Sequence, residues 1–119
     1  MNEPAPQLAE DSLGNDYQAD PLGNDYQNDP PTLSATLTIK NRLGLHARAA
    51  GKLVEAAGRF KSRMLLVKDD AEADIRSIVS LISLGCPYNT EVVLLATGPD
   101  APQALAALTD IIDNRFGEA

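Results

Sequence analysis

Thr36-Leu37-Thr38-Ile39-Lys40 alternates polar and apolar side chains, the two-residue period of a strand with one buried face. The period then lengthens. Between Ala47 and Gly58 the apolar residues Ala49, Ala50, Leu53, Val54 and Ala57 recur at helical spacing, and Arg48, Lys52, Glu55 and Arg59 share the opposite face. This predicts a helix opening at Ala47 and stopped by Gly58. Residues 62–68, centred on Met64-Leu65-Leu66-Val67, read as a second strand, and residues 71–75 as a short third strand folded back across Lys68-Asp69-Asp70. Ser77 is a start signal for a short helix whose apolar face is Ile78, Val79, Leu81, Ile82 and Leu84, with Gly85 ending it. The run Val92-Val93-Leu94-Leu95 within residues 91–97 predicts a fourth strand, apolar enough to be central in its sheet. Asp100 is placed to cap a last helix with Pro102 in its first turn and a buried stripe of Ala104, Leu105, Leu108, Ile111 and Ile112. The order β-α-β-β-α-β-α predicts an α+β fold, an open-faced sandwich in which three helices cover one face of a four-stranded antiparallel sheet.

No such period runs through residues 1–33, which are rich in Asp, Asn, Gln, Pro and Gly and are expected to be a disordered acidic tail ahead of one domain, residues 34–119. The tail contains Leu13-Gly14-Asn15-Asp16-Tyr17-Gln18 and, nine residues on, the same hexapeptide as Leu22-Gly23-Asn24-Asp25-Tyr26-Gln27. Two short copies cannot build a solenoid. They read as duplication in an unconstrained segment, or as a bivalent peptide with Leu and Tyr anchors or an acidic arm over a basic surface.

Charge sharpens that division. The chain carries −7 overall, and residues 1–32 hold seven acids and no base, so the remainder is neutral. It is also polarised: residues 40–68 hold eight bases against Glu55 alone, and residues 69–119 hold two bases and nine acids. A positive field on one side suits an acidic or phosphate-bearing protein partner. Nucleic acid is not expected, because the folded part is neutral and its basic half offers only Phe60 for stacking. No stretch resembles a membrane span or a signal peptide, so a cytoplasmic protein is expected. Cys86 is the only cysteine and His46 the only histidine, which leaves neither an internal disulfide nor a usual zinc site. The acids Asp69, Asp70, Glu72 and Asp74 read as a solvated strand edge. No metal and no cofactor are expected.

The candidate chemistry lies in Arg42-Leu43-Gly44-Leu45-His46-Ala47-Arg48-Ala49-Ala50. Gly44 marks a turn and Ala47 opens a helix, which puts His46 at the helix's amino-terminal end. The first NH groups there lack intrahelical partners and the dipole is positive, so the NH groups of Ala47, Arg48 and Ala49 can receive an anion. The Arg48 guanidinium adds a fork of donors, and an imidazole is a competent nucleophile. A histidine in this place serves either as a phosphoryl acceptor or as a plain cap or surface residue, and spacing alone does not choose.

The residues Gly44-Leu45-His46-Ala47-Arg48, Phe60-Lys61-Ser62, Arg76-Ser77-Ile78, Leu84-Gly85 and Ala96-Thr97-Gly98-Pro99-Asp100, followed by Ala104-Leu105, together resemble the HPr family. These are the histidine phosphocarriers of the bacterial phosphoenolpyruvate-dependent phosphotransferase system. The resemblance covers about residues 34–116, and its end is similar to the nitrogen-related branch, NPr. It implies that His46 accepts a phosphoryl group on Nδ1 from enzyme I and passes it to an enzyme IIA-type protein, with Arg48 steadying the phosphate. The chain would be a monomeric carrier working through phosphohistidine rather than a free-standing enzyme. Ser77, at 77 − 46 = 31 positions after His46, matches the serine that an HPr kinase/phosphorylase modifies in some members. Its ordinary role is to cap its helix. The pattern departs from the family where Ala49 replaces the usual proline, where Ile78-Val79-Ser80 replaces a frequent Met-Gly pair, and in the acidic tail. A regulatory docking module, controlled by phosphorylation of His46 or Ser77, is the alternative reading.

Overall fold

The computed structural model describes residues 30–119. The hexapeptide repeat and most of the acidic segment lie outside the described residues. Four strands, β1 (Thr32–Thr38), β2 (Arg63–Lys68), β3 (Ala71–Asp74) and β4 (Glu91–Thr97), alternate with three helices, α1 (Ala47–Ala57), α2 (Ile78–Leu84) and α3 (Ala101–Asp113). A 3-10 turn, Arg115–Gly117, follows α3. The strands pair antiparallel in the order β1-β4-β2-β3, so the β-α-β-β-α-β-α reading holds and β4 is central.

Alternation along the strands decides which face is covered. Leu37, Met64, Leu66, Ala73, Val92, Leu94 and Ala96 are buried, while their neighbours Thr36, Arg63, Glu72 and Glu91 are exposed. The register sets Leu66 opposite Leu94 and Leu37 opposite Val92, so the buried residues form one continuous layer. Against it, α3 packs on β1 and β4, α2 packs on β3, and α1 packs on both other helices. Leu53 of α1 and Leu108 and Ile112 of α3 are wholly buried. Each such side chain contributes about 1.5–3 kcal/mol. β2 and β3 meet in a two-residue turn, Asp69-Asp70, with Asp69 at φ +53°, a conformation its short polar side chain tolerates.

Three local expectations need correction. β1 begins at Thr32, so Thr32 and Leu33 belong to the sheet rather than to the segment before it. Leu33-Ser34-Ala35 is a weak strand sequence by itself, and pairing with Leu95 and Ala96 of β4 holds it. Gly58 does end α1 as expected, though at φ −63°, without the left-handed turn that glycine permits. Gly85 does use that freedom, at φ +71°. In α2 only Leu81 is buried; Ile78, Val79 and Ile82 are exposed, because a helix of seven residues presents a single stripe to the core.

Asp100 is the third correction. It occupies the N-cap position of α3 but makes no side-chain cap bond. Its carboxylate instead accepts from the backbone NH groups of Lys61 and Ser62, both at 2.9 Å, and from Ser62 Oγ at 2.5 Å. It thereby ties the start of β2 to the start of α3. Gly98 permits this approach, since a Cβ there would stand 2.6 Å from Ser62 Cα. The Ser62 hydroxyl bond first, and the Lys61 NH next, hold the Asp100 carboxyl below the usual carboxylate range. A depressed carboxyl adds stability above its unfolded pKa and loses it as pH falls through the lower folded value. Asp100→Asn is therefore expected to be less stable than the parent at pH 7, with the gap closing below about pH 4. Urea melts of both proteins at neutral and acid pH measure this, and a gap unchanged at acid pH would contradict it.

Candidate functional site

The site is built on the turn between β1 and α1. Asn41, wholly buried, donates from Nδ2 to the Gly44 carbonyl at 2.6 Å, and Gly44 NH returns a bond to the Asn41 carbonyl at 3.1 Å. Gly44 sits at φ +71°, and a Cβ there would lie 2.6 Å from the Cys86 carbonyl oxygen and 2.8 Å from Pro87 Cα. Glycine is needed on both counts. Leu45 NH donates to that same Cys86 carbonyl at 2.8 Å, which clamps the turn against the loop after α2. Cys86 itself is buried, and burial pushes its thiol up despite nearby Lys68, which favours the thiol over the thiolate.

His46 follows as the N-cap of α1, with extended backbone. Its Nε2 lies 2.9 Å from Oε1 and 3.0 Å from Oε2 of Glu118. An ionised carboxylate only accepts, so Nε2 is the donor and carries the ring proton. Nδ1 is then an acceptor, and it receives Arg48 NH across a long 3.3 Å. The ring keeps 28 % of its surface open. Glu118 also accepts from Asn41 Nδ2 at 3.0 Å. That bond first, and the His46 bond second, hold its carboxyl below the usual range.

The residues singled out at the head of α1 therefore lie together. Ala47 and Arg48 are exposed at the first turn and Ala49 is buried behind them. The Arg48 guanidinium makes no hydrogen bond or ion pair among the described residues. Ser77 stands apart, at the start of α2, where its hydroxyl accepts Ser80 NH at 3.1 Å as a plain cap does. Exposed apolar side chains occur on the turn before His46 (Leu43, 73 % exposed), on α2 (Ile78, Val79, Ile82) and in the loop after α2 (Tyr88).

Sequence reasoning missed Glu118 and Asn41. Glu118 is 72 positions from His46, and it arrives because the chain reverses after α3. Arg115, Phe116 and Gly117 all take positive φ there. Strain of about 1–3 kcal/mol at each non-glycine residue is countered in part by burying Phe116, worth about 1.5–3 kcal/mol, and by the Lys52 ammonium donating to the Phe116 carbonyl. Arg42 NH fixes the returning chain by donating to the Ala119 carbonyl at 2.9 Å. The one available signal was Phe116-Gly117, an aromatic anchor with a turn residue just before an acid.

The chain has known relatives. The family model described as "PTS HPr component phosphorylation site" matches residues 33–114. The phosphocarrier protein HPr of Cupriavidus necator is 41 % identical over 86 residues, which is 72 % of this chain and 97 % of that protein. The phosphocarrier protein NPr of Shewanella violacea is 38 % identical over 87 residues, covering 73 % of this chain and 96 % of the relative. Among solved structures, HPr of Thermoanaerobacter tengcongensis superposes with a TM-score of 0.70 at 39 % identity, over 73 % of this chain and 98 % of the other. No helix among the described residues is long and apolar enough to cross a membrane. The matches span the folded residues from the first strand through the last helix and nearly the full length of each relative, and on that ground the chain belongs to the HPr family of phosphocarrier proteins.

Proposed function

We propose that His46 accepts a phosphoryl group on Nδ1 from enzyme I and passes it to an enzyme IIA-type protein in the cytoplasm. One observation carries this reading: Nε2 is occupied by Glu118, and Nδ1 faces the first turn of α1, weakly engaged at 3.3 Å. A phosphoryl group formed on Nδ1 takes over the Arg48 NH, with the Ala47 and Ala49 NH groups and the Arg48 guanidinium as further donors to its oxygens. Phosphoryl transfer asks for in-line positioning and charge stabilisation rather than covalent machinery, and these groups provide both. Leu43, Ile78, Val79, Ile82 and Tyr88 supply exposed apolar contact for the donor and acceptor proteins, and residues 40–68, with eight bases against Glu55 alone, supply positive charge beside His46. Incubation with phosphoenolpyruvate and enzyme I tests it. Acid-labile, base-stable phosphate in the protein supports the reading, and none in folded protein contradicts it.

Ser77 supports a regulatory layer on the same surface. Its hydroxyl is partly accessible and directly precedes exposed Ile78 and Val79. A phosphate added there by an HPr kinase/phosphorylase introduces nearly two negative charges beside apolar contact residues. Aspartate is also a good N-cap, so Ser77→Asp separates charge from folding. The expected result is an unchanged melting temperature with phosphoryl acceptance slowed about tenfold. Equal acceptance rates would remove this role.

A further inference from the structure

We propose that Glu118, held by Asn41, is a positioning residue that keeps the ring proton of His46 on Nε2 through both phosphoryl transfers, so that Nδ1 always enters and leaves as a lone pair. The proposal rests on the reading of His46 as phosphoryl acceptor. Both Glu118 oxygens lie within 3.0 Å of Nε2, and one of them also takes the Asn41 amide. The carboxylate is built in rather than dangling. Phe116 is buried two residues before it, Glu118 NH donates to the Arg115 carbonyl at 2.9 Å, and Arg42 NH holds the next residue. Asn41 is wholly buried and its Oδ1 finds no hydrogen-bond partner among the described residues. A buried amide with an unpaired oxygen is costly, and the work of its nitrogen, which joins Gly44 to Glu118, accounts for its presence.

The bookkeeping of the transfer explains the need. On acceptance the Nδ1 lone pair forms an N–P bond, the bond from phosphorus to the donor breaks, and its electron pair leaves with the donor. The ring is now cationic and still protonated at Nε2, facing the Glu118 carboxylate. On delivery the acceptor attacks phosphorus and the N–P electrons return to Nδ1, leaving the neutral ring with its proton where it began. No proton need enter or leave His46. Without the carboxylate, the free ring populates the tautomer protonated at Nδ1, which cannot attack. The phosphorylated ring then also sheds its Nε2 proton and becomes a poorer leaving group.

Ring-15N NMR of the full chain, with acceptance from enzyme I and phosphohistidine lifetime measured beside it, tests this in the parent, Glu118→Gln, Glu118→Ala and Asn41→Ala. The parent should show one tautomer, protonated at Nε2. Glu118→Ala should show both tautomers and accept phosphate about tenfold more slowly or worse. Glu118→Gln, whose amide oxygen still accepts from Nε2, should restore the tautomer but lengthen the phosphohistidine lifetime, because the charge is gone. Asn41→Ala should follow Glu118→Ala; if it fails to fold, the Glu118 pair decides. Parent-like tautomer and rate in Glu118→Ala overturn this proposal alone. A parent protein that enzyme I does not phosphorylate overturns the acceptor reading and this proposal with it.

Discussion

His46→Ala is expected to lose phosphoryl acceptance from enzyme I by at least about a thousandfold, since it removes the proposed nucleophile and leaves only orienting groups behind. The fold will survive the change. Alanine forfeits the cap bond from Arg48 NH, a long one at 3.3 Å, at a cost of about 1 kcal/mol or less. Glu118 keeps its bond from Asn41. A melting temperature lowered by no more than about 4–8 °C is expected. Radiolabel transfer from phosphoenolpyruvate together with a thermal melt separates the two effects. Appreciable incorporation in a folded His46→Ala protein would mean that another residue accepts the phosphate.

The second large effect falls on stability. Gly44→Ala forces an L side chain into a left-handed conformation and drives its Cβ to 2.6 Å from the Cys86 carbonyl oxygen. The conformational cost is about 1–2 kcal/mol. The clash adds to it, because both neighbours, Cys86 O and Pro87 Cα, are backbone and cannot rotate away. A total of about 3 kcal/mol or more lowers the melting temperature by more than about 10 °C. Function should suffer beyond stability, because the Gly44 carbonyl accepts from both Asn41 Nδ2 and His46 NH. Acceptance measured well below the melting transition should therefore still be reduced. A melt within about 2 °C of the parent would show that the turn yields more than the geometry allows.

Much of this was legible in the sequence, for reasons that can be named. The strands and helices of the folded part carry strict periods, and the turn residues Gly44 and Gly85 sit where left-handed conformations occur. His46 stood out because a turn glycine and a helix start bracket it. Other features depend on who packs against whom, which periodicity does not encode. The stripe Ile78-Val79-Leu81-Ile82 looked like core, yet only Leu81 has a neighbour to bury it. Asp100 carried a capping signal, but the buried Ser62 and its NH compete for the same carboxylate and win. Glu118 reaches His46 only after the sheet, α3 and the anchored Phe116 are all in place, so no local pattern marks it.

The most direct measurement is to phosphorylate the full chain with phosphoenolpyruvate and enzyme I, with its histidine ring labelled with 15N, and to locate the phosphate by phosphorus–nitrogen coupling. The account predicts a single phosphohistidine at His46, bonded through Nδ1, with Nε2 still protonated against Glu118. Phosphate on Nε2, or no phosphohistidine in a protein that NMR shows to be folded, would contradict it.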